Sequence, residues 1–241
     1  MADACPGGVV SRRDGFADPA RTTTAIRRKA QALGVDVREG VQVGVVRKDG
    51  RDFVVCADGQ DWRAPILVNA AGAWAGRIAA QFGEPVPLET IAPMLMITSR
   101  APAFIKPVVI LRGRKLSFKQ FANGTVMIGG GHRGVACLDT NETLLDWRKL
   151  SESARTVWEL FPIMRGATIV RAWAGIESRL PDDLPIVGPS AVHEGLFHQF
   201  GFSAHGFQLG PGAGEAMAEM IVTGASTTPL DGLRIERFAR A

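Results

Sequence analysis

The chain has 241 residues, 46% of them hydrophobic, with 28 basic against 24 acidic side chains and a formal charge of +4. That content fills one large domain or two small ones, and well-mixed charges without an arginine or lysine block argue against nucleic-acid binding. No apolar run reaches the ~20 residues of a membrane span or resembles a signal peptide, and Cys5, Cys56 and Cys137 lie far apart with no CxxC pair, so idle thiols and a cytoplasmic location are expected.

In chain order, Asp14-Gly15 marks a turn and Asp18-Pro19 opens a helix, with Asp at the N-cap and Pro at the first helical position. Ile26, Ala30 and Leu33 mark its expected buried stripe, and Gly34 ends it. Val35–Arg38 and Val41–Lys48 read as strands, and Asp49-Gly50 and Asp58-Gly59 as turns around a returning strand at Phe53–Ala57, giving an antiparallel meander. The run Ile66-Leu67-Val68-Asn69-Ala70-Ala71-Gly72-Ala73-Trp74 is a strand passing through small residues into a helix. Trp74, Ile78 and Phe82 space that helix.

The middle of the chain has another texture. Short strand-like runs fall at Met94–Thr98, Val108–Leu111, Leu116–Phe121 and Val126–Gly130, and Asn123-Gly124 gives a hairpin signal. The apolar spacing of Leu144, Trp147, Leu150, Ala154, Val157, Trp158 and Phe161 predicts one long helix from about Asn141 to Phe161. A strand follows at Thr168–Ile176, so an antiparallel sheet carrying a helix is expected here. Residues 181–241 return to the first texture: strands at Pro185–Pro189 and Leu196–Phe200, a glycine-rich loop from Gly201, then a helix with Ala213, Met217, Met220 and Ile221 on one face, stopped by Gly224. A strand that breaks into such a loop before a helix presents bare N–H groups and the positive end of a helix dipole to a ligand.

Other patterns are weaker. Gly129-Gly130-Gly131-His132-Arg133-Gly134 matches G-x-G-x-x-G but opens no helix and sits in no βαβ unit, so a flexible strand end near a ligand is the better reading. The four histidines have no metal-ligand spacing, and no metal is expected. His205 differs because it lies inside the glycine loop, where it either polarises a bound ring or makes a loop hydrogen bond. Ser203 lacks the glycine pattern of a nucleophile elbow, which argues against hydrolytic triad chemistry. Asp182-Asp183 reads as a solvated corner after Pro181, and Glu177 either faces a pocket or makes a surface ion pair. Strand alternation sends one of Lys119 and Gln120 toward any pocket on their sheet. The small residues at Asn69–Trp74 fit close approach to a cofactor and tight helix–sheet packing equally well.

Taken together, Asp14-Gly15 with Asp18-Pro19, Val68–Trp74, Ile128–Gly131, Arg171-Ala172-Trp173-Ala174-Gly175, Pro181-Asp182 with Leu184–Gly188, and Gly201-Phe202-Ser203-Ala204-His205-Gly206 occur in an order that resembles the FAD-dependent D-amino-acid oxidase superfamily, of the glycine, sarcosine and opine oxidase type. The resemblance implies a mixed α/β (α+β) chain. An FAD-binding Rossmann-like domain would be assembled from residues 1–87 and 181–241, with an antiparallel-sheet substrate domain at 88–180. It implies noncovalent FAD and oxidation of an amino acid or N-substituted amino acid from amine to imine. It places Val43 on the adenine side, Ala71, Gly72 and Trp74 along the cofactor, and Gly206, Phe207 and Gln208 beside the isoalloxazine, with Lys119, Gln120 and His205 as catalytic candidates. Two departures stand out: the family's N-terminal glycine-rich βαβ unit has no counterpart here, and the position of a substrate-carboxylate arginine is Glu177, with Arg179 two further along. Three expectations follow: a truncated enzyme, one piece of a split enzyme whose partner chain supplies the nucleotide-binding unit, or a non-catalytic ligand-binding or interaction protein reusing the fold.

Overall fold

The computed structural model describes residues 7–239, so Cys5 lies outside the described residues. The chain divides into two compact units, one of residues 7–17 and 91–176, the other of 18–90 and 177–239. The segment 7–17 thus groups with the middle of the chain rather than with residues 18–87. Within that unit Phe16 meets Phe121 edge-on with centroids 5.5 Å apart, and Lys119 Nζ lies 4.9 Å from the Phe16 ring.

The unit containing residues 91–176 is antiparallel. Its sheet uses β5 (Glu89–Thr98), β6 (Val109–Ile110), β7 (Ser117–Gln120), β8 (Val126–Gly129), β9 (Arg133–Cys137) and β10 (Glu142–Leu144) in the order β10-β9-β5-β8-β7-β6, with β11 (Ile169–Ala174) also pairing β5. The β7–β8 hairpin turns at Asn123-Gly124, where Asn123 Oδ1 accepts from Thr125 N at 3.0 Å and Gly124 has φ of 87°. One helix, α3 (Trp147–Leu160), lies on the sheet, and its Leu150, Val157 and Leu160 join Met94, Met96, Phe118, Ile128, Phe161 and Met164 in the core. Phe118 and Phe161 stack with centroids 4.6 Å apart. The expected helix from Asn141 is shorter, because residues 142–144 pair with β9 and the cap is Asp146, whose carboxylate accepts from Lys149 N. Trp147 and Trp158, counted in the apolar stripe, are exposed.

The glycine run at 129–134 serves packing rather than flexibility. A Cβ on Gly129 would meet Leu95 Cδ2 at 2.5 Å, one on Gly130 would meet the Leu116 backbone at 2.5 Å, and one on Gly134, inside β9, would strike the Leu144 carbonyl. The contacts at Gly130 and Gly134 are close approaches of backbone, which only glycine fits.

The other unit opens with α1 (Pro19–Ala32), capped by Asp18 Oδ1 accepting from Arg21 N at 3.0 Å. Its C-terminus is a Schellman closure: Gly34 is left-handed, Gly34 N bonds Gln31 O and Val35 N bonds Ala30 O. The expected buried stripe of α1 is not buried: no residue of the helix is, and Ile26 and Leu33 are exposed. The strand expected at Val35–Arg38 is absent, Val35 N being taken by the helix closure. The meander comprises β1 (Val43–Asp49), β2 (Asp52–Ala57) and β3 (Gln60–Ala64), in that order. After the short strand β12 (Glu177–Arg179), a second sheet has the order β13-β14-β4, from β13 (Ile186–Pro189), β14 (Leu196–Phe200) and β4 (Leu67–Asn69). β13 is antiparallel to β14, but β14 and β4 are parallel, with Leu196 opposite Leu67, Phe197 opposite Val68 and His198 opposite Asn69.

Each parallel strand ends in a tight turn and a helix. After β4 comes a 3-10 turn (Gly72–Trp74) and α2 (Ala75–Gln81), whose Ala75 and Ala79 pack on Leu180, Ile186, Phe200 and Ile235. After β14 the chain turns through residues 201–205 into α4 (Gly206–Thr223), closed by left-handed Gly224. The glycine-rich segment expected to be a loop is therefore mostly helix, which begins at Gly206 and includes Pro211. Asp182-Asp183, expected as a solvated corner, is exposed and also ion-paired: Asp182 accepts from Arg237 Nε at 2.8 Å and Asp183 from Arg179 Nε at 2.7 Å.

The turn at 201–205 is strained and closely packed. Ser203 and Ala204 are both left-handed without being glycine, at φ of 51° and 71°, and Gly201 has φ of 75°. A Cβ on Gly201 would collide with the Leu180 side chain. Gly201→Ala combines a disfavoured backbone with overpacking and should destabilise this unit by roughly 2–4 kcal/mol, read as a lower urea midpoint at unchanged slope.

Candidate functional site

Parallel pairing of β4 with β14 brings their carboxyl ends to one edge of the sheet. The turns that follow, Ala70–Trp74 and Gly201–His205, leave from that edge, the position at which open α/β sheets bind ligands. Their tips are made of small residues: Ala70, Gly72 and Ala204 are exposed, and Ala71 and Trp74 are half-buried. Gly72 has φ of 55°, a backbone that admits glycine readily and lets the chain turn sharply into Trp74.

The start of α4 adds to this surface. His205 is its N-cap, with no side-chain capping bond, and Gly206, Phe207 and Gln208 supply first-turn N–H groups without helical acceptors. Phe207 and Gln208 are exposed and Gly206 is half-buried, packed against Phe202. Beyond them, a Cβ on Gly210, Gly212 or Gly214 would have no atom of the described residues within 4 Å apart from the helix's own neighbouring backbone. Each glycine costs an α-helix about 1 kcal/mol relative to alanine, and no close packing among the described residues accounts for them. The bare turns and the open stretch of α4 together suit a flat ring system laid against backbone.

Behind the turns lies a buried polar chain. His198 is fully buried, with Nε2 3.0 Å from Glu84 Oε2 and Nδ1 3.3 Å from Asn69 Nδ2. Glu84, also buried, accepts from Ser190 Oγ at 2.6 Å and Ala191 N at 2.7 Å. Asn69 Nδ2 donates to the Ala75 carbonyl at 2.9 Å, and its Oδ1 accepts from Ala71 N. Burial holds the His198 ring below the ordinary imidazole range, against the opposing pull of the Glu84 carboxylate.

The six cofactor candidates that follow the parallel strands, Ala71, Gly72, Trp74, Gly206, Phe207 and Gln208, share the edge just described, with the catalytic candidate His205 between the two groups in sequence and at the helix cap. Val43 is exposed at the start of β1, in the meander sheet. Lys119 and Gln120 belong to the other unit. Gln120 is buried, and its amide is occupied by backbone: Nε2 lies within 3.3 Å of the Ala101, Pro102 and Gly124 carbonyls, and Oε1 accepts from Phe104 N. Lys119 is half-buried beside Phe16 and Phe121. Arg179 holds Asp183 through two bonds and reaches Glu89 at 3.4 Å. In Lys119's unit an open hollow of about 350 Å³ is lined by Arg114, Lys115, His132, Glu152, Arg155 and Thr156, with Arg114 already bonded to Thr156 and paired with Glu159.

The sequence matches the FAD dependent oxidoreductase family over residues 2–220. The chain belongs to this family of FAD-dependent oxidoreductases. It is similar to the mitochondrial sarcosine dehydrogenase of Homo sapiens, 28% identical over 239 residues, covering 93% of this chain and 26% of that protein. The glycine oxidase of Pseudomonas putida is 31% identical over 195 residues, covering 79% of this chain and 51% of that protein. Among solved structures, the L-proline dehydrogenase of P. horikoshii superposes with a TM-score of 0.85 at 28% identity, covering 93% of this chain and 60% of that one. The chain thus spans between about a quarter and about half the length of the curated relatives it matches. The mixed α/β architecture with antiparallel sheets is that of its family neighbours.

Sequence reasoning missed the buried chain behind the turns. His198 reads as a lone histidine when compared only with His193. The available signal was alternation: Leu196, His198 and Phe200 point to one buried face of β14, and Asn69 is the buried residue opposite His198 on β4. A histidine and an asparagine facing each other inside a sheet require partners.

The depressed titration of His198 has a sign. The unfolded ring takes up its proton near pH ~6.5, while the folded ring resists it, so the unfolded chain binds protons first on acidification and stability falls as pH drops below that value. His132, lowered by burial and then by Lys115, acts in the same direction. Thermal midpoints should fall between pH 7.5 and pH 5.5, and the fall should shrink in His198→Gln; equal slopes in the two proteins would contradict the neutral buried ring.

Proposed function

We propose that this chain forms the flavin-facing part of an enzyme that oxidises the amine of an amino acid or N-substituted amino acid to an imine. The observation that carries the reading is the paired carboxyl ends of β4 and β14, with bare turns and an unexplained glycine stretch of α4 at one edge, in a chain of the FAD-dependent oxidoreductase family. In this reading the cofactor domain is residues 1–87 with 181–241 and the substrate domain 88–180, except that the segment 7–17 groups with the latter.

When bound, FAD supplies a two-electron acceptor, so that a C–H beside the nitrogen leaves as hydride, the nitrogen loses a proton, and water hydrolyses the released imine. The chain's own residues orient and shield. Ala71, Gly72 and Trp74 form the platform at the end of β4, and Val43 lies on the adenine side. The N–H groups of Gly206, Phe207 and Gln208, at the positive end of the 18-residue α4, favour negative charge developing on a ring above them. His205 polarises that ring. Lys119 and Gln120 are the substrate-side candidates.

An open surface supports a partner segment. Among the described residues β4 pairs with β14 alone, Ile66 and Val68 beside that edge are exposed, and α1 presents Ile26 and Leu33 to solvent. A strand–helix unit carrying nucleotide-binding glycines would extend the sheet along β4 and cover these side chains, noncovalent FAD bridging the two. The name of one relative, the sarcosine oxidase subunit beta of Rhodobacter capsulatus, marks that protein as one component of a larger enzyme.

The decisive measurement is the visible spectrum after mixing with FAD and desalting, with and without a co-expressed nucleotide-binding segment. A retained flavin band that bleaches anaerobically with glycine, sarcosine or proline is expected. A folded chain that retains no flavin in either state overturns the reading. Gly210→Ala tests the same surface differently: it should raise the stability of the flavin-free chain by about 1 kcal/mol in denaturant melts and weaken flavin retention. Unimpaired retention would remove α4 from the site.

A further inference from the structure

The buried chain Ser190–Glu84–His198–Asn69 reaches the cofactor-facing turn from behind, and its hydrogen bonds fix which atoms carry protons. The Ala75 carbonyl can only accept, so the Asn69 atom 2.9 Å from it is the amide nitrogen, and Oδ1 is the atom that takes the Ala71 N–H. The same Nδ2 faces His198 Nδ1 at 3.3 Å, so Nδ1 must accept. The ring proton therefore lies on Nε2 and is donated to Glu84. Glu84 is in turn held as an acceptor by the Ser190 hydroxyl and the Ala191 N–H. Each donor–acceptor assignment forces the next, joining Asn69 and Glu84 to Ser190 and His198, more than 100 residues away in sequence.

We propose that Glu84 and His198 are positioning residues that act through Asn69 to set the conformation of the 69–75 turn. Asn69 spans that turn, holding the Ala71 N–H near its start and the Ala75 carbonyl at its end. With Nδ1 as acceptor, Asn69 presents this clamp; with a proton on Nδ1, two donors face each other and the clamp is lost. Glu84 selects between these states from the far side of the ring, with no contact to the turn. Among the described residues Glu84 is the charged group facing the ring, which also meets Asn69 and the Phe200 ring, the latter edge-on at 5.7 Å. The inference rests on the reading of Ala71, Gly72 and Trp74 as cofactor-facing.

Glu84→Gln isolates the proposal because it preserves shape and inverts hydrogen bonding. If the new amide oxygen keeps the Ala191 N–H, its NH₂ faces His198 Nε2, which must then accept and move the ring proton to Nδ1. His198→Gln is the rescuing counterpart, able to donate to Glu84 and accept from Asn69. Three readouts apply: the His198 tautomer from ¹⁵N-histidine spectra, amide exchange at Ala71, and FAD affinity. The expected results are an Nε2–H ring in the unaltered chain at pH 7 and, in Glu84→Gln, an Nδ1–H ring, roughly 10-fold faster Ala71 exchange and roughly 10-fold weaker FAD, with His198→Gln nearer the unaltered chain in the last two. An Nδ1–H or charged ring in the unaltered chain overturns the proposal, as does unchanged Ala71 exchange in Glu84→Gln. If Glu84→Gln does not fold, the tautomer of the unaltered chain and Ala71 exchange in His198→Gln still decide. If the unaltered chain holds no flavin, the cofactor reading fails while the tautomer and exchange measurements still judge the clamp.

Discussion

The site depends on one long-range pairing, the parallel alignment of β4 with β14. Parallel strands require a crossover between them, and here the chain between Asn69 and Leu196 includes residues 91–176 of the other unit. The alignment makes two strand-to-helix turns neighbours, and without it the small-residue turn after Asn69 and the strained turn after Phe200 would be unrelated loops. The pair His198 and Asn69 fixes its register from inside, because a slip of one residue would turn both polar groups away from their partners.

The same arrangement explains how the turns can be so bare. Small side chains contribute little packing, so neighbouring buried groups hold the backbone instead. Ser203, left-handed and buried, accepts from Leu180 N and donates to the Gly201 carbonyl, and its own N–H reaches the Ser178 carbonyl. Asn69 plays the matching part on the other turn. Two consecutive non-glycine residues at positive φ persist only where surrounding contacts over-determine them.

Much of this was legible in the sequence, for reasons that differ by element. The Asp18 cap, the Asn123-Gly124 hairpin and strand β14 were readable because their signals are local. The start of α4 was misread because glycine is taken as a loop signal, whereas here it opens one face of a helix. The false start of α3 arose because Leu144 fits the helical stripe but lies in a strand paired with β9, a tertiary contact that periodicity does not see. The apolar stripe of α1 was read correctly as apolar and wrongly as buried, since amphipathicity shows that a helix has a face to cover but not that this chain covers it. Gln120 shows the converse, a polar residue on a plausible pocket strand that serves the local backbone.

The interruption of one unit by the other has a kinetic consequence for the growing chain. Residues 91–176 form a continuous segment of mostly short-range antiparallel contacts and can assemble as soon as they leave the ribosome, α3 closing over the sheet. The other unit must wait for β14 and α4 near the C-terminus before β4 finds its parallel neighbour, so its first half is synthesised well ahead of its second. During that interval Ile66, Val68 and the apolar side of α2 have no cover within the chain, and this is the window in which a chaperone would be engaged.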